Sequence, residues 1–310
     1  MEDIIKIVIA GLDEAGKTSI LTALDKKYDF HKDITSLTPT IRVEYHATEF
    51  LHNKTVFWDM GGQQKYRELY EERQDIYFSG TDLLLYVIDV QDRERFETSL
   101  AYLDMILQNF LKQKLEIPLI ITFHKFDPGL KDVETVILDV NYLRETIIEK
   151  YPNFKILFQQ TSIYDIISIV QLISYGLSIF DAKFFELSEL LERYLEEFNC
   201  KSLIIFDKNG IIISEFYSSI IEPEIYIEFL ESIKEHLFLL KRMQEESYEA
   251  QSNFSLMGNE LLSYLHRLEV GTQSFFTSVI IQEEYKDILL DKFSDFLEDV
   301  RVILEPLILS

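Results

Sequence analysis

The chain has 310 residues, enough for two hydrophobic cores, and 47% apolar with 13% aromatic residues excludes a low-complexity or disordered class. A formal net charge of −24 argues against nucleic acid as a partner, because phosphate backbones need a basic stripe. One cysteine, Cys200, excludes a disulfide framework and fits a reducing cytoplasm, and no apolar run is long enough to span a membrane.

The acidity is unevenly spread. Through Ala182 there are 19 basic against 29 acidic residues, and beyond it 11 against 25. The second part reads as a solvated acidic surface rather than a face for a basic partner. Met1-Glu2-Asp3 offers neither a basic signal-peptide start nor a glycine for myristoylation, so no direct membrane anchor is expected.

From residue 1 to about 180, strand and helix patterns alternate. Ile4–Ala10 reads as a buried strand and Gly16–Leu24 as a helix. Between them Gly11-Leu12-Asp13-Glu14-Ala15-Gly16-Lys17-Thr18-Ser19 fits G-x-x-x-x-G-K-[ST]. Backbone N–H groups of such a loop, with the helix N-terminus, form an anion site. Asp13 to Ser19 are therefore candidate nucleotide contacts: Lys17 reaches outer phosphates and the Thr18 hydroxyl takes Mg²⁺.

Thr40, in Leu37-Thr38-Pro39-Thr40-Ile41, follows the first helix. It can place its hydroxyl on Mg²⁺ and its N–H on the terminal phosphate, which makes the segment a switch. Strands are read at Val43–Leu51 and Lys54–Asp59. The second ends in Trp58-Asp59-Met60-Gly61-Gly62-Gln63. Asp59 is placed to hold Mg²⁺ through water, Gly62 to bring its N–H to the phosphate, and Gln63 to orient the attacking water. The structural alternative for Asp59-Met60-Gly61-Gly62 is a plain turn.

Helix Tyr66–Arg73, strand Leu83–Asp89, helix Glu94–Leu111 and strand Leu119–His124 follow, the last opening the segment His124-Lys125-Phe126-Asp127. Asp127 can accept two N–H bonds from guanine, whereas adenine presents the opposite pattern. The Lys125 stem can cover the base, and His124 is a further candidate nucleotide contact, its structural alternative a plain strand-end histidine. After helix Val136–Tyr151 and strand Lys155–Gln159 the segment Thr161-Ser162-Ile163 lies beside the base. The Ile163 N–H is a candidate for the guanine carbonyl, at the start of a helix read to Ser178. The order implies an α/β, doubly wound sheet with ligands at the carboxyl ends of its strands.

Past Asp181 the rhythm changes. Helix Phe184–Phe198 leads into Ser202–Asp207, Lys208-Asn209-Gly210 and Ile211–Phe216, a strong hairpin pattern. Pro223 can open a helix to about Glu246. Strands near Ser263–Glu269 and Ser274–Ile281 join through Gly271, and a helix runs from Glu283 to about Val300. This is a smaller α/β unit with antiparallel strands, giving domains 1–182 and 183–310. His31, His46, His52, His236 and His266 show no metal-ligand spacing and read as structural.

Gly-Leu-Asp-x-Ala-Gly-Lys-Thr and Trp58–Gln63 resemble the Arf/Rag branch of small GTPases. His124-Lys125-x-Asp127, Thr40–His46 and Thr161–Asp165 are similar to Rag/Gtr segments. The resemblance implies a guanine-nucleotide switch binding GTP or GDP with Mg²⁺ and hydrolysing GTP slowly without an activating partner. It also implies a C-terminal roadblock (longin-like) domain that dimerises with the same chain or a related GTPase, and contact with membranes only through partners. Roadblock scaffold proteins, an activator and an exchange factor belong to the same expectation. Asp13 is Arf-like; Glu14 departs from the small residues of Rag proteins and can crowd an activator's arginine. Two other classes stay open on the residues alone: a scaffold subunit that binds nucleotide without cycling, and, less favoured by Asp127, an adenine-nucleotide enzyme.

Overall fold

The computed structural model describes residues 4–26, 37–50, 53–165, 168–169, 171–172, 175–176, 183–208, 211–218, 236, 252–256 and 260–309. It divides into two compact units, Met1–Leu172 and Ile173–Ser310, a boundary earlier than 182/183.

In the first unit, strands β1 (Ile4–Gly11), β2 (Val43–Phe50), β3 (Asn53–Met60), β4 (Leu83–Asp89), β5 (Leu119–His124) and β6 (Ile156–Thr161) form one sheet in the order β2-β3-β1-β4-β5-β6. Every pairing is parallel except β2 with β3, so the sheet is mixed. The antiparallel edge follows from the short link between β2 and β3, too short for the crossover a parallel pair needs.

Helices α1 (Lys17–Lys26), α2 (Gln64–Glu72), α3 (Gln74–Tyr77), α4 (Phe96–Gln113) and α5 (Glu134–Lys150) belong to the same unit. All of Leu83–Ile88 is buried, which is why β4 reads as an unbroken apolar run and not as an alternation. Its even-numbered residues join a core holding Tyr70, Phe78, Tyr102, Phe110 and Phe123. Fully burying a side chain such as Phe110 contributes about 1.5–3 kcal/mol.

This packing fixes the carboxyl ends of β1, β3, β4 and β5 along one rim. The residues following those ends are the ones the motifs single out. One expectation is corrected here: Ser162 bridges to Asp165 across a turn, so Ile163 lies in that turn and not at a helix start, and helical residues appear from Ser168.

The second unit holds α6 (Lys183–Phe198), β7 (Cys200–Asp207), β8 (Ile212–Tyr217), β9 (Ser252–Leu256), β10 (Leu261–Val270), β11 (Gln273–Gln282) and α7 (Lys286–Leu309). Its sheet is antiparallel throughout, ordered β8-β7-β11-β10-β9. Tyr194 and Phe198 of α6 meet Phe293 and Phe296 of α7, and Tyr264 of β10 packs on Phe293.

Because strand side chains alternate, Ser263 faces the other way from Tyr264. His236, in a helical residue, bridges Ser263 Oγ and Ser278 Oγ at 2.6 Å each. The hairpin between β7 and β8 is present, with Asn209 and Gly210 outside the described residues. The helix read after Pro223 also lies outside them apart from His236, as do His31 and His52.

Candidate functional site

At the end of β1 the chain cannot carry side chains where it meets its neighbours. A Cβ on Gly11 (φ +148°) would stand 2.4 Å from the Val87 carbonyl oxygen. One on Gly16 (φ +95°) would stand 2.3 Å from the His124 ring. Glu14 adopts φ +62° with a side chain, a conformation L residues avoid. The loop then turns into α1, whose first residue is Lys17.

Lys17 is buried and its Nζ donates to the carbonyls of Gly11 (3.1 Å) and Leu12 (2.6 Å). Burial lowers its pKa to about 8, opposed by Asp59 and Asp13. An anion would relieve that desolvation. Asp13, Glu14, Gly16, Lys17, Thr18 and Ser19 border one cavity of about 300 Å³, closed on its other sides by Leu37–Thr40, Gly62 and Gln63. Ala15 is buried behind the loop.

Beneath this cavity Thr18, Thr40 and Asp59 converge. Thr18 Oγ1 donates to Asp59 Oδ2 at 2.5 Å and lies 2.8 Å from Thr40 Oγ1, which is itself 3.3 Å from the same oxygen. Asp59 is fully buried, and burial pushes its carboxyl above the ordinary range against the pull of Thr18, Lys17 and Thr40. Its second oxygen, Oδ1, has no hydrogen-bond partner. A buried carboxylate oxygen left unpaired beside two hydroxyls fits a hard cation such as Mg²⁺.

Gly62 passes so close that a Cβ there would be 2.2 Å from the Asp13 nitrogen. Gln63 is extended (φ −62°, ψ 146°) at the N-terminus of α2 and lines the same cavity as Lys17.

At the end of β5, Asp127 accepts from Ser162 Oγ at 2.6 Å and from Gln91 Nε2 at 2.9 Å, each on its own oxygen. Each oxygen thus takes one donor from within the chain and keeps a lone pair for another. Lys125, at φ +60°, pairs with Asp89 at 2.6 Å. His124 is buried with Nδ1 2.9 Å from Thr161 Oγ1; burial, then Lys125, lowers its pKa to about 3, so it stays neutral. Ile163 follows Ser162 in the turn beside Asp127.

Some participants carry no motif. Arg95, in the 3-10 turn Arg93–Arg95 after β4, pairs with the Asp13 carboxylate and donates to the Asp13 carbonyl at 3.2 Å. The charged run Asp92-Arg93-Glu94-Arg95 was the only sequence hint of it. Arg67 of α2 donates to the Gly62 carbonyl at 3.0 Å. Gln91 has no signal at all short of knowing where Asp127 lies. Among the described residues no cluster of His, Cys, Asp and Glu could hold a metal by itself, and no helix is long and apolar enough to cross a membrane.

The model of the ADP-ribosylation factor family matches residues 1–161. ADP-ribosylation factor-like protein 3 of Chlamydomonas reinhardtii is 35% identical over 122 residues, 39% of this chain, which spans 63% of that relative's length. The solved Arl6 (BBS3) small GTPase of Trypanosoma brucei, bound to the nucleotide analogue GppNp, aligns with TM-score 0.44 at 19% identity, over 56% of this chain and 96% of that one. With the family model covering more than half of its length, from β1 through the base-side Thr161, the chain belongs to the ADP-ribosylation factor family.

Proposed function

We propose that this protein is a Mg²⁺-dependent guanine-nucleotide switch of the Rag/Gtr type that hydrolyses GTP slowly and dimerises through residues 183–310. The observation that carries the switch is the meeting of Thr18, Thr40 and Asp59 below Lys17, with Asp59 Oδ1 unpaired. Thr40 comes from a segment outside the phosphate loop, so a ligand that contacts Thr40 at this node would couple that segment to the nucleotide.

In this reading Lys17 and the amides of residues 13–18 bind the phosphates. Thr18 and Thr40 would hold Mg²⁺ directly and Asp59 through water, and the ion supplies neutralisation of phosphate charge when bound. Gly62 offers its N–H to the terminal phosphate. Gln63 orients a water for in-line attack, and Asp127, with Lys125, Ser162 and Ile163, selects the base. The Rag/Gtr assignment is supported by His124-Lys125-x-Asp127 and by a second unit whose described elements run helix, two strands, three strands, 3-10 turn and helix. An activator, an exchange factor, a related GTPase and roadblock scaffold proteins are the partners of this reading, and they would bring it to membranes.

A specific observation favours a second reading, a nucleotide-binding scaffold that does not cycle. Asp13 and Glu14 place two carboxylates on the phosphate cavity, and Arg95 is engaged with Asp13. Titration of the full-length chain with fluorescent GTP, GDP and ATP analogues, followed by single-turnover hydrolysis, separates the readings. We expect guanine nucleotides to bind at least about 100-fold more tightly than adenine ones, with Mg²⁺-dependent turnover. Equal affinity for ATP overturns the guanine assignment, and tight GTP binding without turnover selects the scaffold.

A further inference from the structure

Tyr70 of α2 reaches across to a segment that it has no sequence reason to touch. Its hydroxyl donates to the Arg42 carbonyl at 2.6 Å. The same carbonyl accepts the Gly61 N–H at 2.6 Å, one step beyond the Val43–Met60 pair that ends the β2–β3 ladder. Tyr70 is fully buried, its ring edge-on to Tyr77 at 4.7 Å. Burial raises its pKa well above 10, so the phenol remains a donor.

Arg42 is no ordinary anchor. It lies two residues after Thr40 and holds φ +60° with its side chain exposed, a left-handed conformation that L residues avoid. The segment is pressed onto Gly61 so closely that a Cβ there would be 2.8 Å from the Thr40 carbonyl oxygen. The Thr40 hydroxyl meanwhile stands 2.8 Å from Thr18 Oγ1. Residues 40–42 are thus held at both ends, at the Thr18–Asp59 node and at the Tyr70–Gly61 pair.

We infer that Tyr70 is a positioning residue: its hydroxyl holds the strained Arg42 carbonyl and so keeps Thr40 at the node that distinguishes GTP from GDP. The inference rests on the nucleotide-switch reading above. The phenol acts through Arg42 and touches neither nucleotide nor metal. Release of Arg42 to an unstrained conformation would swing Thr40 off Thr18 and Asp59. GDP, lacking the phosphate that Thr40 would contact, is indifferent to that release.

Y70F keeps the ring against Tyr77 and removes only the hydroxyl, and the Arg42 carbonyl keeps Gly61 as partner. Loss of one such hydrogen bond changes an equilibrium about two- to twelvefold. In the full-length chain with Mg²⁺ we expect affinity for a non-hydrolysable GTP analogue to fall by that factor, GDP affinity to stay within about twofold, and the Mg²⁺ midpoint with the analogue to rise. R42G removes the left-handed strain and is expected to move the GTP-analogue preference the opposite way, which guards against a variant that merely misfolds. Equal losses for both nucleotides in Y70F, or no change in either variant, overturn the role of Tyr70 while leaving the switch standing. A wild-type chain that binds neither nucleotide overturns both.

Discussion

Gln63 enters the phosphate cavity from an extended backbone whose carbonyl is already committed to the amides of Tyr66 and Arg67. Its side chain is therefore free of capping duty and can turn to a water. Replacing it with leucine removes a donor and an acceptor without touching Lys17, Thr18 or Asp127. Single-turnover hydrolysis of GTP by Gln63→Leu should fall about tenfold or more, with GTP and GDP affinities within about threefold of wild type. Turnover at the wild-type rate removes Gln63 from the mechanism. At this scale the sequence was legible where chemistry demands a residue type at a fixed spacing, as for Gly11, Gly16, Lys17 and Thr18. Arg95 and Gln91 reach Asp13 and Asp127, and Tyr70 the Arg42 carbonyl, through tertiary packing, which no spacing motif marks.

Elements were legible from periodicity, and misread where tertiary contact overrides it. The strand ends of β1, β4 and β5 follow the apolar runs within a residue or so, since buried parallel strands have no polar face. Strand β9, Ser252–Leu256, has too few apolar residues to announce itself and exists by pairing with β10. Ile163 belongs to an apolar stretch of helical period, yet the Asp165 N–H donates to the Ser162 carbonyl at 3.0 Å and closes a turn around it.

The contact of His236 with the sheet is an element-scale feature with a pH signature. Burial lowers its pKa to about 4 from 6.5, so between those values the unfolded chain takes up a proton that the folded chain refuses. Stability is fully present above pH 6.5, declines as pH falls through the window, and loses no more to this group below 4. The full difference is on the order of 3 kcal/mol. His236→Gln should flatten part of the acid limb of denaturant midpoints measured from pH 7 to 4, leaving the share that His124 adds on its way to about 3. An unchanged acid limb would mean that His236 is solvated in the native chain.

For the whole molecule, two compact units and a charge of −24 set the terms of association. The second unit's sheet ends in β8 on one side and β9 on the other, and Leu256 of β9 is exposed. Outer strands can pair with a strand of another chain. Sedimentation of the full-length chain from about 1 to 100 μM (the range of moderate affinities) should show a monomer–dimer transition that strengthens with salt, as repulsion between acidic surfaces is screened. A monomer at every concentration and salt removes the homodimer and leaves a less acidic related chain as the partner.

The Gly16–His124 contact constrains more than shape. One volume is filled from two places in the sequence, by absence at position 16 and by an imidazole at position 124. Room made at 124 would not admit a side chain at 16, because the backbone there holds φ +95°. Position 16 therefore stays glycine whatever stands at 124, whereas a smaller residue at 124 leaves a void. That asymmetry narrows the routes by which the loop after β1 and the end of β5 could diverge in this chain.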